Sequence, residues 1–493
     1  MKKNIILTAM LMAVLDMNAQ ISYRNPIIPG YHPDPSICRV GDTFYLVNSS
    51  FCSFPGVPLS SSKDLVHWTP LNPVLTRDSQ LPLQGATSWT GIYAPTIRYH
   101  EGVYYMITTN IGHGGNFLVS SKNPNGPWSE PVWLKQQGID PSLYFEKGKC
   151  YMCSNPDNAI YLCEINPATG EQLTESKMIW KGDGGRYPEG PHIYFKDGYY
   201  YLLCSEGGTE LAHHLTIARS RRIDGPYERN PDNPILTNCN VKGQDKIIQG
   251  TGHGDFFQDA EGNWWITFLA YRNFGGSYHH LGRETYLAPV KWDAGEWPVV
   301  NGGEAIDTLM NGPLPKSDVQ PSSVPQWVYI QNPVVENYQS TANGWRLKGH
   351  GTLSENQQPT FMGIRQERPD IDIHVSALSR GGEGGISLFQ INDGHLDLMV
   401  SDDKVSVHVK VKSIDYRAAE ARLTKKGGMT DLRITSDGLK YVFYYRETGT
   451  AWNRLGEMDC SLISTEVMGG FTGVIMGLFS EGRGEVQFTN VQF

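Results

Sequence analysis

Five times along this chain the same short passage returns, and such a repeat leaves few folds open. It reads HPDPSICRVGDTFYLVNSS from His32, APTIRYHEGVYYMITTN from Ala94, DPSLYFEKGKCYMCSN from Asp140, EGPHIYFKDGYYYLLCSEG from Glu189 and HGDFFQDAEGNWWITFLAY from His253. With Asp34, Ala94, Asp140, Glu189 and His253 taken as leading residues, an aromatic follows 11 positions later each time, at Tyr45, Tyr105, Tyr151, Tyr200 and Trp264. Each copy reads as an apolar inner strand, a Gly- or Asp-containing turn and a second, aromatic strand. Outer-strand echoes follow in SSSKDLVHW, SSKNPNGPW and RSRRIDGPY. Units of this size, each with several short strands, predict an all-β five-bladed β-propeller over residues 22–300. A sandwich of hairpins competes, but it does not explain why the same leading position keeps returning.

The rest of the chain lacks the repeat. Residues 301–325, NGGEAIDTLMNGPLPKSDVQPSSVP, read as a linker. Beyond it, alternating stretches such as GISLFQI, KVSVHVKVK and KYVFYYRE predict a two-sheet β-sandwich over residues 326–493. The 53 Gly, 30 Pro and 25 Tyr suit turn-rich β structure. A formal charge of −9 argues against a nucleic-acid partner and against docking on anionic membranes.

At the N-terminus two lysines precede an apolar run, Ile5 to Leu15, too short to span a bilayer. It fits a signal peptide over residues 1–19 and hence a secreted or periplasmic protein; no other segment predicts membrane insertion. Cys150 and Cys153 form a C-x2-C pair with Cys163 nearby, a spacing that zinc or redox chemistry also uses. Strand alternation points the two to opposite faces, so they read as buried core cysteines.

In a propeller the inner strands start beside the central axis. The leading residues, three carboxylates and a histidine among them, therefore converge on one small funnel. Asp-Pro is also a common turn signal, and Asp34 or Asp140 alone reads as a turn cap. Three acids at one structural position are better explained by chemistry, because like charges raise one another's pKa and cost stability. One ionised and one protonated carboxyl are the equipment of glycoside hydrolysis. A metal site is the other use of such a set, but single ligands on separate blades supply few oxygens for calcium.

The stretches NPIIPGYHPDPSICRVGDTFYLVNSS, FPGVPLSSSKDLVHW, GIYAPTIRY, IDPSLYF, EGPHIY, YYYLLCSEGGT, GTGHGDF and LGRET run in order through a chain that resembles glycoside hydrolase family 43. The likeness is to its β-xylosidases with a C-terminal concanavalin A-like β-sandwich. It implies Asp34 as general base, Asp140 as the acid that sets a neighbour's pKa, and Glu189 as general acid. It implies further that Arg283 holds sugar hydroxyls and Asp140, and that Phe51, Tyr93, Ala94 and Thr209 line the sugar pocket. His253 is placed on the axis, where some members bind calcium through water; no cofactor is required for catalysis. A loop carrying Phe361 is expected to reach from the sandwich towards the pocket. The chain departs from the family's xylosidases at Ser53 and Tyr93, where they carry tryptophan, and in a shorter segment after Tyr151.

The implied activity is an inverting exo-β-1,4-xylosidase acting on xylan-derived oligosaccharides. An α-L-arabinofuranosidase, or an enzyme with both activities, is the alternative within the class. A non-catalytic glycan-binding propeller is the alternative outside it, and it has no use for Asp34, Asp140 and Glu189 together. The RDP tripeptide of levansucrase- and invertase-like propellers is absent.

Overall fold

A computed structural model describes residues 20–239, 247–317 and 324–493 of the chain. The leader expected over residues 1–19, and with it the inferred destination, lies outside the described residues.

Among the described residues five antiparallel sheets follow one another, as the repeat requires; four have four strands, and the second has five because two short strands share its innermost place. The inner strands are Ser36–Val40, Thr96–His100, Ile139–Glu146, Glu189–Lys196 and Ile248–Gln258. Each turns directly into its neighbour, and three of these hairpins put both central residues at positive φ: Glu101–Gly102, Lys147–Gly148 and Asp197–Gly198. That is the tight two-residue turn whose twist matches the strands it joins, and it explains why a Gly recurs there. Apolar side chains fill the space between blades, with Phe44, Trp265, Phe268 and Tyr286 fully buried. Cys150 and Cys163 pack in one inter-blade cluster and Cys153 in another, so the C-x2-C pair is split across the sheet.

Below the funnel a polar knot crosses the axis. Asp255 accepts from Arg98 Nη1 (2.8 Å) and Nη2 (3.1 Å), from Tyr194 Oη (2.7 Å), Ser36 Oγ (2.8 Å) and the Ile37 amide (3.2 Å). Arg98 also bonds His192 Nδ1 at 2.8 Å. These residues come from four blades, and burying the carboxylate is tolerable because its lone pairs are satisfied.

The sandwich is an eight-stranded sheet facing a seven-stranded one. Leu388, Leu398, Val407, Leu432, Phe443 and Phe488 fill the gap between them. The outermost strand of the larger sheet, Ser53–Phe54, belongs to the propeller and pairs with Val328–Ile330. The 301–325 segment is also more than a linker: its Leu309–Gly312 strand returns to pair with Ile21–Arg24. Loop-like composition hid a strand that the N-terminus stabilises.

The two domains are therefore joined by sheet hydrogen bonds as well as packing. Deleting residues 326–493 uncovers the Ser53–Phe54 edge and the apolar surface beside it. Such a fragment is expected to aggregate at concentrations where the whole chain is monodisperse, as read by size-exclusion chromatography. A monodisperse propeller fragment with an unchanged melting temperature would contradict this coupling.

Candidate active site

The leading residues converge, but their backbone does so at a cost. Asp34 (φ 53°), Asp140 (φ 53°) and His253 (φ 46°) all lie in the left-handed region, although proline follows the first two and disfavours anything but extended backbone there. Strand register shows why. Asp140 and Pro141 together oppose one residue of the next strand, as do Gly190 and Pro191, and His253 and Gly254. Each pair is a β-bulge, and at Asp140 and His253 it swings the side chain towards the axis. Strain of this kind collects where geometry matters more than comfort.

The bulge corrects one reading of the repeat. In the fourth blade the residue equivalent to Asp140 is Gly190 (φ 57°), and Glu189 precedes it, in the place of Ile139. The aromatic 11 positions after Glu189 is a coincidence of adjacent tyrosines, because Tyr201 is the equivalent of Tyr151. Glycine is needed at 190: a Cβ there would stand 3.0 Å from His253 Cε1.

These elements build a cavity of about 340 Å³ lined by Asp34, Phe51, Tyr93, Ala94, Asp140, Glu189, Thr209, His253 and Arg283, the residues singled out by sequence. It also takes in Trp89, Tyr187, Glu210 and Phe471, which were not. Phe471 comes from the sandwich. Its ring stacks on Phe51 (5.5 Å between centroids) and meets Tyr93 (5.8 Å) and Trp89 (5.0 Å) edge-on. The expected Phe361 is instead fully buried inside the sandwich against Phe389. A phenylalanine in a regular strand has its face taken by the core. One among glycines, as in GGFTG, is free to leave it, and its amide bonds Ser88 O at 3.1 Å.

The three carboxyls sit in different fields. Asp34 accepts from Ser49 Oγ (2.5 Å) and Arg283 Nη1 (3.1 Å), and His253 Nδ1 lies 3.8 Å away. Burial alone would raise its pKa, but Arg283, His253 and Ser49 outweigh that and hold it below the ordinary value. Asp140 is pushed well up by burial, then by Glu189 and Asp34. Glu189 is raised to about 7 by burial and by Asp34, with Arg283 opposing. The site thus keeps one dependable negative charge, on Asp34, and holds protons on its neighbours. Arg283 bonds Asp34 and, at 2.9 Å, Thr209, rather than Asp140 as expected.

Asp140, Glu189 and His253 bring donor atoms within 4.8 Å of one another. They offer two carboxylates and a histidine, whereas calcium takes six to eight oxygens, so they do not form a direct calcium cage. A second group, His395, Asp397 and His408, lies in the sandwich. Both imidazole Nδ1 atoms lie within hydrogen-bond reach of one Asp397 oxygen (2.8 and 3.2 Å), a spacing that protons fill.

Replacing Arg283 with methionine leaves burial of Asp34 less opposed, so its pKa must rise. An Asp whose pKa is depressed in the folded state is ionised at neutral pH and loses that charge as pH falls through the folded value. The acidic limb of aryl pentoside hydrolysis should therefore move to higher pH, and the plateau rate should fall roughly 10²-fold with the lost donor. An unmoved acidic limb would contradict the electrostatic pairing of Arg283 with Asp34.

Residues 23–298 match the Glycosyl hydrolases family 43 domain and residues 320–493 the Beta xylosidase C-terminal Concanavalin A-like domain. The chain is 38% identical to a non-reducing end alpha-L-arabinofuranosidase of Bacteroides ovatus, covering 99% of this chain and 97% of that one. It is also 38% identical to a xylosidase/arabinosidase of Butyrivibrio fibrisolvens, over 94% and 96% of the two chains. Among solved structures, Bacteroides ovatus Xyloglucan PUL GH43B superposes with a TM-score of 0.89 at 37% identity, over 95% of this chain and 99% of that one. A strained funnel of three carboxyls on a five-bladed propeller, backed by this sandwich, places the chain in glycoside hydrolase family 43, among the xylosidases and arabinofuranosidases.

Proposed function

We propose that the protein is an inverting, exo-acting pentosidase that releases one terminal residue from xylan-derived oligosaccharides, β-D-xylose as its first substrate. The observation that carries this is the contrast between Asp34, held ionised by Arg283, and Glu189, held protonated, in a pocket that Phe471 walls from the sandwich side. Water attacks the anomeric carbon and gives a proton to Asp34. The glycosidic C–O bond breaks, its electron pair goes to the leaving oxygen, and that oxygen takes the Glu189 proton. Asp140, bonded by the Gly190 amide, is itself held protonated by burial, Glu189 and Asp34, so the charge that raises Glu189 is that of Asp34 rather than the expected one of Asp140. The aromatic wall of Phe51, Tyr93 and Phe471 closes one side of the pocket and suits one sugar ring at a chain end. The apolar run Ile5 to Leu15 behind two lysines supports action outside the cytoplasm.

A second reading, release of α-L-arabinofuranose, is favoured by the Bacteroides ovatus relative and by Tyr93 standing where the family's xylosidases carry tryptophan. Initial rates on 4-nitrophenyl β-D-xylopyranoside and α-L-arabinofuranoside, alongside xylobiose and arabinosylated xylo-oligosaccharides, discriminate the two. Xyloside turnover at least equal to arabinoside turnover is expected, and arabinose as the only product would overturn the first reading.

The two acids separate by leaving group. Glu189→Ala should lose roughly 10²–10⁴-fold on xylobiose, whose sugar alkoxide needs a proton, and much less on a dinitrophenyl glycoside. Asp34→Ala removes water activation, so both substrates should suffer alike. Equal loss for Glu189→Ala on both substrates would contradict its role.

A further inference from the structure

His213 has no part in the chemistry so far, yet its ring is completely buried and aimed at the acid. Its side chain has 0% exposure, and Nε2 lies 3.7 Å from Glu189 Oε1. Nδ1 lies 3.2 Å from the Gly250 carbonyl oxygen, which can only accept, so Nδ1 carries the hydrogen. Burial and the neighbouring His253 lower the ring's pKa to about 3, and it is neutral in the working range. Nε2 therefore presents a bare lone pair, and among the described residues it has no hydrogen-bond partner. Burying an acceptor unpaired is costly, which makes the orphan informative. The ring is also clamped: a Cβ on Gly252 would come within 2.3 Å of His213 Cε1, and the His213 amide bonds Glu210 O at 3.0 Å.

We propose that His213 is a positioning residue for the general acid, its Nε2 accepting a hydrogen bond from the protonated Glu189 carboxyl and so keeping the proton in the site until the leaving oxygen claims it. This rests on Glu189 being the acid. The 3.7 Å gap is wider than a hydrogen bond, and a small turn of the Glu189 carboxyl closes it; such contacts commonly tighten when substrate binds. An acceptor bonds the neutral acid and not the carboxylate, whose oxygens carry only lone pairs. The contact therefore adds to the upward push of burial, Asp34 and Glu210 on Glu189, and works against Arg283. Asp140, His253 and Tyr93 also stand around this carboxyl.

Two substitutions divide the ring's functions. His213→Asn keeps a donor near the Gly250 carbonyl and removes the acceptor facing Glu189. His213→Gln places an amide oxygen near the Nε2 position. For the Asn variant, the basic limb of kcat/KM on xylobiose should move about one pH unit towards acid, the worth of one ordinary hydrogen bond. Its rate at low pH, where Glu189 is protonated anyway, should stay within a few-fold of the parent, and the Gln variant should recover most of the shift. If the Asn variant loses rate equally at every pH with the basic limb unmoved, His213 is merely structural and the inference falls. Should Glu189→Ala show no dependence on leaving group, the assignment of the acid falls first. A moved basic limb with the acid assignment intact isolates the effect to His213.

Discussion

The buried pair of Asp255 and Arg98 is the interaction on which the rest of this structure leans. A propeller blade can slide or tilt about its own hairpin, and the site needs its inner strands held to within a fraction of an ångström. Asp255 removes that freedom by accepting five hydrogen bonds from three other blades. Buried ion pairs contribute little net stability compared with apolar packing, but breaking one leaves an uncompensated charge. The knot lies two residues beyond the leading position in three blades, at Ser36, His192 and Asp255. It therefore anchors the strands just past Asp34, the Gly190–Pro191 bulge and the His253–Gly254 bulge.

On that platform the site is organised by a shortage of positive charge. Asp34, Asp140 and Glu189 share one guanidinium, and Arg283 is committed to Asp34. The other two acids are left to burial and to their neighbours, and burial favours the protonated form. One carboxylate beside two acids whose protonated form is favoured follows from the arrangement, without any residue of unusual chemistry. The sandwich completes it. Its short helix Thr465–Met468 bonds His279 through Glu466 at 2.5 Å, and the glycine-rich turn that follows delivers Phe471 against Phe51. One wall of the pocket is thus built by a domain that supplies none of the acids.

Much of this was legible in the sequence, because a propeller writes its symmetry as a repeat. The blade count, the convergence of Asp34, Asp140 and His253, and the sandwich all follow from spacing and alternation. The resemblance supplied the roles that spacing cannot give. What stayed hidden depends on offsets of one residue or on long-range contacts. Glu189 precedes its blade's bulge because Gly190 occupies it, and a run of three tyrosines at 199–201 concealed the shift. Phe361 and Phe471 are both phenylalanines of the sandwich; only the glycines at 469 and 470 mark the second as able to leave the core. The strand at Leu309–Gly312 looked like loop because its partner, Ile21–Arg24, lies almost three hundred residues away.

The central claim is that Asp34 directs water to the anomeric carbon in one displacement. It is tested most directly by proton NMR of the first sugar released from an aryl β-D-xyloside, recorded before mutarotation. One displacement predicts that the α-anomer appears first, with the β-anomer growing in only as the free sugar equilibrates. Initial release of β-xylose would mean a covalent sugar–enzyme intermediate, and would contradict the assignment of Asp34 as the base that activates water.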